Sequence, residues 1–302
     1  MRELIHNALS SVIKSDYVLM DCPYHANLGD HLIWEGTLCA LKRIPHKCLY
    51  TSSVEYWQEN KIKDGDLILI CGGGNFGDVW PRHQELRRAM MAKYPHSTFI
   101  HLPQTMRYSD EETLKRDVDL FTKEKERNII MLRDQKSYEF AKEHFKSNRL
   151  MLVPDMAFAM EIPERYTNTE KTGKEVYIRR MDHELAIEAD SMVPQNVQIR
   201  DWPTYERLPL IRHLVYLIGG PIRHLLPKRF YCTYMDWAYN HILHPFYTTA
   251  ALAFIAKFDK IYTTRLHAGL LAHFLGKTVV IVDNNYGKMR AVWNTWIEPN
   301  KD

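Results

Sequence analysis

Apolar residues along this chain gather into short runs, separated by segments in which they recur at helical spacing. The runs "DYVLMDC" (16–22), "KCLYTS" (47–52), "DLILIC" (66–71), "STFIHLP" (97–103), "NIIMLRD" (128–134) and "LMLVPD" (150–155) predict strands. Segments near 31–43, 81–94, 110–126 and 135–146 predict the helices between them. Strand-helix repetition of this kind argues for a parallel sheet covered on both faces.

The stretch "MEIPERYTNTEKTGKE" (160–175) is polar and turn-rich, and reads as a linker. Beyond it a second α/β pattern predicts strands near 175–180, 196–200, 260–264 and 278–283, with helices over 203–219, 234–257, 266–275 and 286–296. The expected fold class is α/β: two Rossmann-like domains facing a cleft, one over 1–165 and one over 166–302.

Composition narrows the classes. A chain of 302 residues can bury a core for two ordinary domains. A formal net charge of +3 is too small to argue for a nucleic-acid partner. Five cysteines, an odd number with no C-x-x-C pair, speak against a disulfide framework or zinc site and for a reducing compartment. The start, "MRELIHNALSSVIK", reads as an amphipathic helix without a signal-peptide core, and no apolar run reaches the roughly 18 residues of a membrane span. A cytoplasmic protein is the expectation.

In open α/β sheets ligands bind beyond the carboxyl ends of the strands. There the chain concentrates polar residues: Asn27, Gly29 and Asp30 after the first strand, Gly73, Gly74, Asn75 and Asp78 after the third, Gln104 after the fourth, Asp155 after the sixth. Gly72, Gly74 and Gly77 match the G-x-G-x-x-G spacing of a dinucleotide loop, but the next strand ends in Leu102-Pro103-Gln104, without the carboxylate a ribose requires. NAD is therefore not expected. The loop is read as backbone N–H groups opening a helix, suited to an anion or a sugar.

In the second half, Arg265 and His267 flank one leucine where a strand gives way to a helix, an arrangement suited to an anion. Arg179, Arg180 and Lys288 are candidates to join them. Neighbours on a strand point to opposite faces, so only one of Arg179 and Arg180 should enter the cleft. A salt bridge to an inter-domain carboxylate is the structural alternative for Arg265, and a helix N-terminal hydrogen bond that for His267.

Taken in order, "NLGDHLIWEG", "GGGNFGDVW", "HLPQT", "LRDQKS", "VPDMAF", "RRMDHE", "TTRLHAGLLAHFLGK" and "DNNYGK" followed by a tryptophan resemble the polysaccharide pyruvyl transferase family, over residues 27 to 296. The resemblance implies a glycosyltransferase-B-like pair of Rossmann domains. It also implies transfer of a pyruvyl group from phosphoenolpyruvate onto two sugar hydroxyls as a cyclic ketal, with no cofactor and no metal. On that chemistry Arg179 or Arg180, Arg265, His267 and Lys288 would bind phosphoenolpyruvate, and His267 would protonate its methylene carbon. Asp30 and Asp78 are the candidates to receive the attacking hydroxyl's proton, with helix capping as their structural alternative. Asn27, Gly29, Gly73, Gly74, Asn75 and Gln104 would form the acceptor side. Asp155 and Asp283 read as loop-fixing carboxylates.

The segment 208–247 lies outside those motifs. It mixes aliphatic and aromatic residues with Arg212, Arg223, Lys228 and Arg229, and Asp236 is its only acid. It suits either an anionic membrane surface, with a polyprenyl-diphosphate-linked oligosaccharide as acceptor, or a helical excursion over the second sheet. The competing activities are a nucleotide-sugar glycosyltransferase on the same scaffold and a non-catalytic sugar-binding protein.

Overall fold

The computed structural model describes residues 1–180, 193–282 and 287–299, the side chain of Lys288 excepted. The chain opens with α1 (Arg2–Val12), β1 (Tyr17–Met20), α2 (Leu28–Leu41), β2 (Cys48–Ser52), β3 (Leu67–Ile70) and β4 (Gly73–Gly77). It continues with α3 (Pro81–Lys93), β5 (Thr98–Arg107), α4 (Glu111–Lys123), β6 (Asn128–Leu132), α5 (Gln135–His144), β7 (Arg149–Leu152) and a short α6 (Glu164–Thr167). Then come β8 (Glu175–Ile178), β9 (Gln198–Arg200), α7 (Pro203–Glu206), α8 (Leu210–Leu225), α9 (Lys228–Ala238) and α10 (His244–Ile255). The last elements are β10 (Lys260–Thr263), α11 (Leu266–Phe274), β11 (Thr278–Ile281) and α12 (Lys288–Trp296).

The strands form two parallel sheets, as the apolar runs predict. The first has the order β2-β1-β3-β5-β6-β7, with β4 beside β5, and the second β11-β10-β8-β9. Every residue of β1 and β3 is buried, the signature of strands covered on both faces. Side chains set the helix starts: Asn27 accepts from Gly29 N at 3.2 Å, Asp110 from Thr113 N at 2.7 Å and Asp134 from Ser137 N at 2.8 Å. In the first sheet the chain order reverses between β1 and β3, and in the second between β8 and β10. Such reversals open a crevice at the carboxyl ends of the flanking strands.

The glycine-rich stretch departs from expectation. It is not a turn opening a helix but a strand, with Gly73, Phe76 and Gly77 paired to Gln104, Met106 and Arg107. That partner is why β5 runs on past the predicted 103. Gly77 has φ +118°, and a Cβ there would lie 1.8 Å from the Arg107 carbonyl oxygen, so glycine is needed for the close backbone approach. Helix α3 begins only at Pro81.

Segment 208–247 is a helical excursion, and its polar contacts tie it to the first half of the chain. Asp236 of α9 accepts from Tyr24, from Ser52 Oγ at 2.9 Å and from Tyr50 Oη at 3.4 Å. Farther on, Tyr239 Oη donates to the Tyr24 carbonyl at 2.8 Å. His244 of α10 meets α2, facing His31 at 3.3 Å and Glu35 at 2.8 Å. Among the described residues no helix is long and apolar enough to cross a membrane.

Two tests follow from this packing. A Cβ on Gly36 of α2 would sit 1.9 Å from the backbone oxygen of Met156. Gly36→Ala should therefore lower the unfolding free energy in urea by about 1–3 kcal/mol despite alanine's helix propensity; an unchanged or raised stability contradicts the close approach. Burial raises the Asp236 carboxyl to about 6 from 3.8, outweighing the hydroxyls that donate to it. Between those values the folded protein holds the extra proton, so this group's contribution to stability falls as pH rises through the window and is level above it. The melting-temperature difference, Asp236→Asn minus wild type, should climb from pH 4 to about 7 and then stay flat. A pH-independent difference contradicts the assignment.

Candidate functional site

Both reversal points open on one cavity of about 330 Å³. The ends of β1 and β3 bring Asp21, Cys71 and Gly72 to it, and the ends of β8 and β10 bring Arg180, Thr264 and Arg265. The Arg180 backbone N–H donates to Thr264 Oγ1 at 2.8 Å, which joins the two second-half loops.

Of the neighbouring arginines, Arg180 borders the cavity and Arg179 does not; the Arg179 N–H extends the β8–β9 pairing by donating to the Arg200 carbonyl at 2.8 Å. Arg265, just before α11, is buried, and its guanidinium grips Asp201 through Nε and, at 2.7 Å, Nη2. Asp201 follows β9, so this ion pair lies within the second half instead of crossing between halves. It fixes the guanidinium plane where Arg265 borders the cavity.

His267 sits in the first turn of α11 with Nε2 3.4 Å from Asp155 Oδ2. Asp155 is fully buried, and it also accepts from Arg133 Nη1 at 2.7 Å and from Ala157 N at 2.8 Å. Burial alone would raise this carboxyl, but the facing His267 and Arg133 outweigh it and hold it below the usual carboxylate range. On the other side of the ring lies Gly29, where a Cβ would be 2.8 Å from His267 Nδ1. The glycine lets the start of α2 and the start of α11 meet across the cavity.

The opposite wall comes from the first half. Asn27 caps α2 and donates from Nδ2 to Asp30 Oδ2 at 2.7 Å, while His25 Nε2 stands 3.4 Å from the same oxygen. Beyond β1, Asp21 has φ +68°, the single positive φ of a non-glycine among the described residues. Its buried carboxylate faces His83 Nδ1 at 2.8 and 3.0 Å and accepts from Asn75 Nδ2 at 3.2 Å. For Asp21, burial is outweighed by His83 and Arg87, and the carboxyl is lowered. For His83, burial works against the cation but the Asp21 charge prevails, and the imidazole is raised. Backbone strain at such a position is commonly kept where function uses it. Neither Asp21 nor His83 was a sequence candidate: Asp21 was visible only as a strand-ending acid, and His83 lies inside the predicted 81–94 helix.

Other candidates fall elsewhere. Asp78 does not border the cavity: its Oδ2 accepts from Ser109 N at 2.6 Å, Ser109 Oγ at 3.0 Å and Asp110 N at 2.7 Å, tying β4 to the start of α4. Gln104 is buried and donates to the Cys71 carbonyl at 2.6 Å, so it shapes the loop after β3 from behind. Gly73 packs toward Ile33, while Gly74 and Asn75 reach the cavity. Asp283 and the side chain of Lys288 lie outside the described residues.

The model of the polysaccharide pyruvyl transferase family matches residues 27–286. A Bacillus subtilis protein named "Putative pyruvyl transferase EpsO" is 28% identical over 301 residues, spanning 94% of this chain and 86% of that protein. "Pyruvyl transferase 1" of Schizosaccharomyces pombe is 27% identical over 300 residues, spanning 92% of this chain and 69% of that protein. The crystal structure of a functionally uncharacterised Klebsiella pneumoniae protein aligns with a TM-score of 0.64 over 97% of this chain and 93% of the other, at 19% identity, and so shares the fold. The family match begins at the Asn27 cap and runs past the end of β11, taking in most of the residues around the cavity: this chain belongs to the polysaccharide pyruvyl transferase family and is an enzyme of that family.

Proposed function

We propose that the chain moves the pyruvyl group of phosphoenolpyruvate onto two hydroxyls of one sugar in a polysaccharide or lipid-linked oligosaccharide precursor, forming a cyclic ketal and releasing phosphate. The arrangement is read as glycosyltransferase-B-like, with residues 1–165 as the acceptor side and 166–302 as the phosphoenolpyruvate side. One observation carries the reading: a single cavity has Arg180, Arg265 and His267 on its second-half wall and two carboxylates, Asp21 and Asp30, on its first-half wall. A donor with phosphate and carboxylate groups suits the first wall, and a polyhydroxylated acceptor suits the second. The same fold carries nucleotide-sugar enzymes, but family membership favours pyruvyl transfer.

In this mechanism Asp155 holds His267 through Nε2, and Nδ1 delivers a proton to the methylene carbon of phosphoenolpyruvate. The C=C electron pair takes up that proton, leaving an oxocarbenium-like carbon that the first sugar hydroxyl attacks. Phosphate then departs with the C–O electron pair, and the second hydroxyl closes the ring. Of the two hydroxyl protons released, one restores His267 and the other leaves with phosphate. His83, backed by Asp21, receives the proton of the attacking hydroxyl in the manner of an Asp-oriented imidazole base, with Asp30 as a hydrogen-bond acceptor for the sugar.

Phosphoenolpyruvate at about 100 times its dissociation constant should stabilise the protein by roughly 2.7 kcal/mol in a thermal-shift assay. Arg180→Ala should abolish the shift. Stabilisation by a nucleotide sugar instead would overturn the reading. Arg265→Ala is a poorer probe, because stranding buried Asp201 costs about 3–5 kcal/mol by itself. His83→Ala should cut kcat by about 10²-fold or more with the phosphoenolpyruvate shift retained. The acidic limb of its pH profile, which reports His83 losing its proton, should move to lower pH in Asp21→Asn, because the raising carboxylate charge is gone. A limb that stays put removes His83 as the base.

A further inference from the structure

Helix α8 is amphipathic with its apolar face turned outward. Leu210, Leu214, Leu217, Ile218, Pro221 and Leu225 share one face by helical spacing. That face is open: Leu210 is 74% exposed, Leu217 71%, Ile218 59% and Leu225 80%. The inward side is Val215 and Gly219, and a Cβ on Gly219 would lie 3.0 Å from the ring of Tyr234 and 3.2 Å from that of Tyr231, so α8 lies tight on α9. Phe230 and Trp237 of α9 are exposed as well. Contiguous apolar surface of this extent marks an interaction site.

Charge selects the occupant. From 207 to 235 the chain carries Arg207, Arg212, Arg223, Lys228 and Arg229 and no Asp or Glu. Arg212 and Arg223 sit on the arc opposite the stripe, over the rings of Tyr216 and Tyr231. Arg207 precedes the stripe and Lys228 and Arg229 follow it, all exposed. The neighbouring acid, Glu206, is taken by Arg200, with Nε to Oε1 at 2.6 Å. A second copy of the chain would bring like charges together: antiparallel pairing sets Arg207 against Lys228 and Arg229, and parallel pairing sets each against itself. An anionic headgroup layer meets the same cations favourably while accepting the leucines. With 16 residues α8 is about 24 Å long, suited to lying in the interface.

We propose that α8 and the start of α9 dock the enzyme on an anionic lipid bilayer, with the Leu210–Leu225 stripe sunk at the boundary between headgroups and acyl chains. Tyr205 borders the cavity and Leu208, three residues on, is exposed, so the docking face continues the chain from the edge of the site. A bilayer there would present a lipid-linked acceptor beside the cavity, a consequence that rests on the pyruvyl-transfer reading; the docking itself does not.

The test is co-sedimentation of the full chain with phosphatidylglycerol-containing vesicles and with vesicles of phosphatidylcholine alone. Partitioning should be at least about tenfold stronger on the anionic vesicles and should weaken with salt. Leu217→Gln/Ile218→Gln/Leu225→Gln and Lys228→Glu/Arg229→Glu should each lower it by about tenfold or more. Both variants should keep the parent's melting temperature and its shift with phosphoenolpyruvate. Absence of binding to either vesicle, or equal binding to both, overturns the proposal. So does a dimer by light scattering that the leucine substitutions dissociate. Since sedimentation is read without turnover, a failed docking test and a failed phosphoenolpyruvate shift remain separate results.

Discussion

Asp155, just beyond the last strand of the first sheet, has a carboxylate fully buried in the protein. A charge in that position costs several kcal/mol unless it is paired and hydrogen-bonded. Its partners come from separate parts of the chain: Arg133 from the end of β6, the Ala157 N–H from the turn at 156–159 and His267 from the start of α11. The same turn receives α2 at Gly36, and the first turn of α2 sets Gly29 against His267. Satisfying one carboxylate thus sets the distance between the two sheets' carboxyl edges. It also fixes the ring on which the proposed proton transfer depends. The sequence reading of Asp155 as loop-fixing is right in kind, but what it fixes is the contact between halves.

The strand periodicity was legible because parallel strands covered on both faces must be nearly continuous apolar runs. Those runs found every strand described in the structure except β4. That one escaped because three of its five residues are glycine and none forms an apolar run: its pairing with β5 is a backbone matter, made possible at Gly77 by φ +118°. The same property misled the reading of the glycines as a helix-opening loop. Helix α8 was found in part, within the predicted 203–219 helix, but without its direction. Its stripe was visible as an amphipathic pattern, but periodicity reports that a helix has an apolar face and not which way that face turns. Asp236, locking α9 to Tyr24, Tyr50 and Ser52, and Gly219, seating α8 on α9, decide the direction.

Within the site, the rule that polar residues gather at strand ends located Asn27, Gly29, Asp30, Asn75, Arg265 and His267, all of which border the cavity. It also gathered Asp78 and Gln104, which sit at strand ends but spend their side chains on neighbouring backbone. Spacing cannot tell a carboxylate that faces a cleft from one that caps the next helix, because both positions favour the same residues. Nor could it pair Asp21 with His83, which are 62 residues apart and meet only because α3 folds back over the end of β1.

The Asp155–His267 and Asp21–His83 pairs are not equivalent, and the difference matches what ketal formation asks of a site. The reaction takes up one proton at carbon and releases two from oxygen, so a donor and an acceptor must coexist in one cavity. Asp155 gives its shorter contact to Arg133 and stands 3.4 Å from His267, so it chiefly orients that ring. Asp21 turns both oxygens to His83 Nδ1, at 2.8 and 3.0 Å, an arrangement that stabilises an imidazolium as it forms. In the proposed reaction the ring beside the arginines gives its proton to the anionic donor, and the ring on the far wall receives one from the sugar. The walls come from different sheets, so the spacing between donor and acceptor groups is again set by the contact at Asp155.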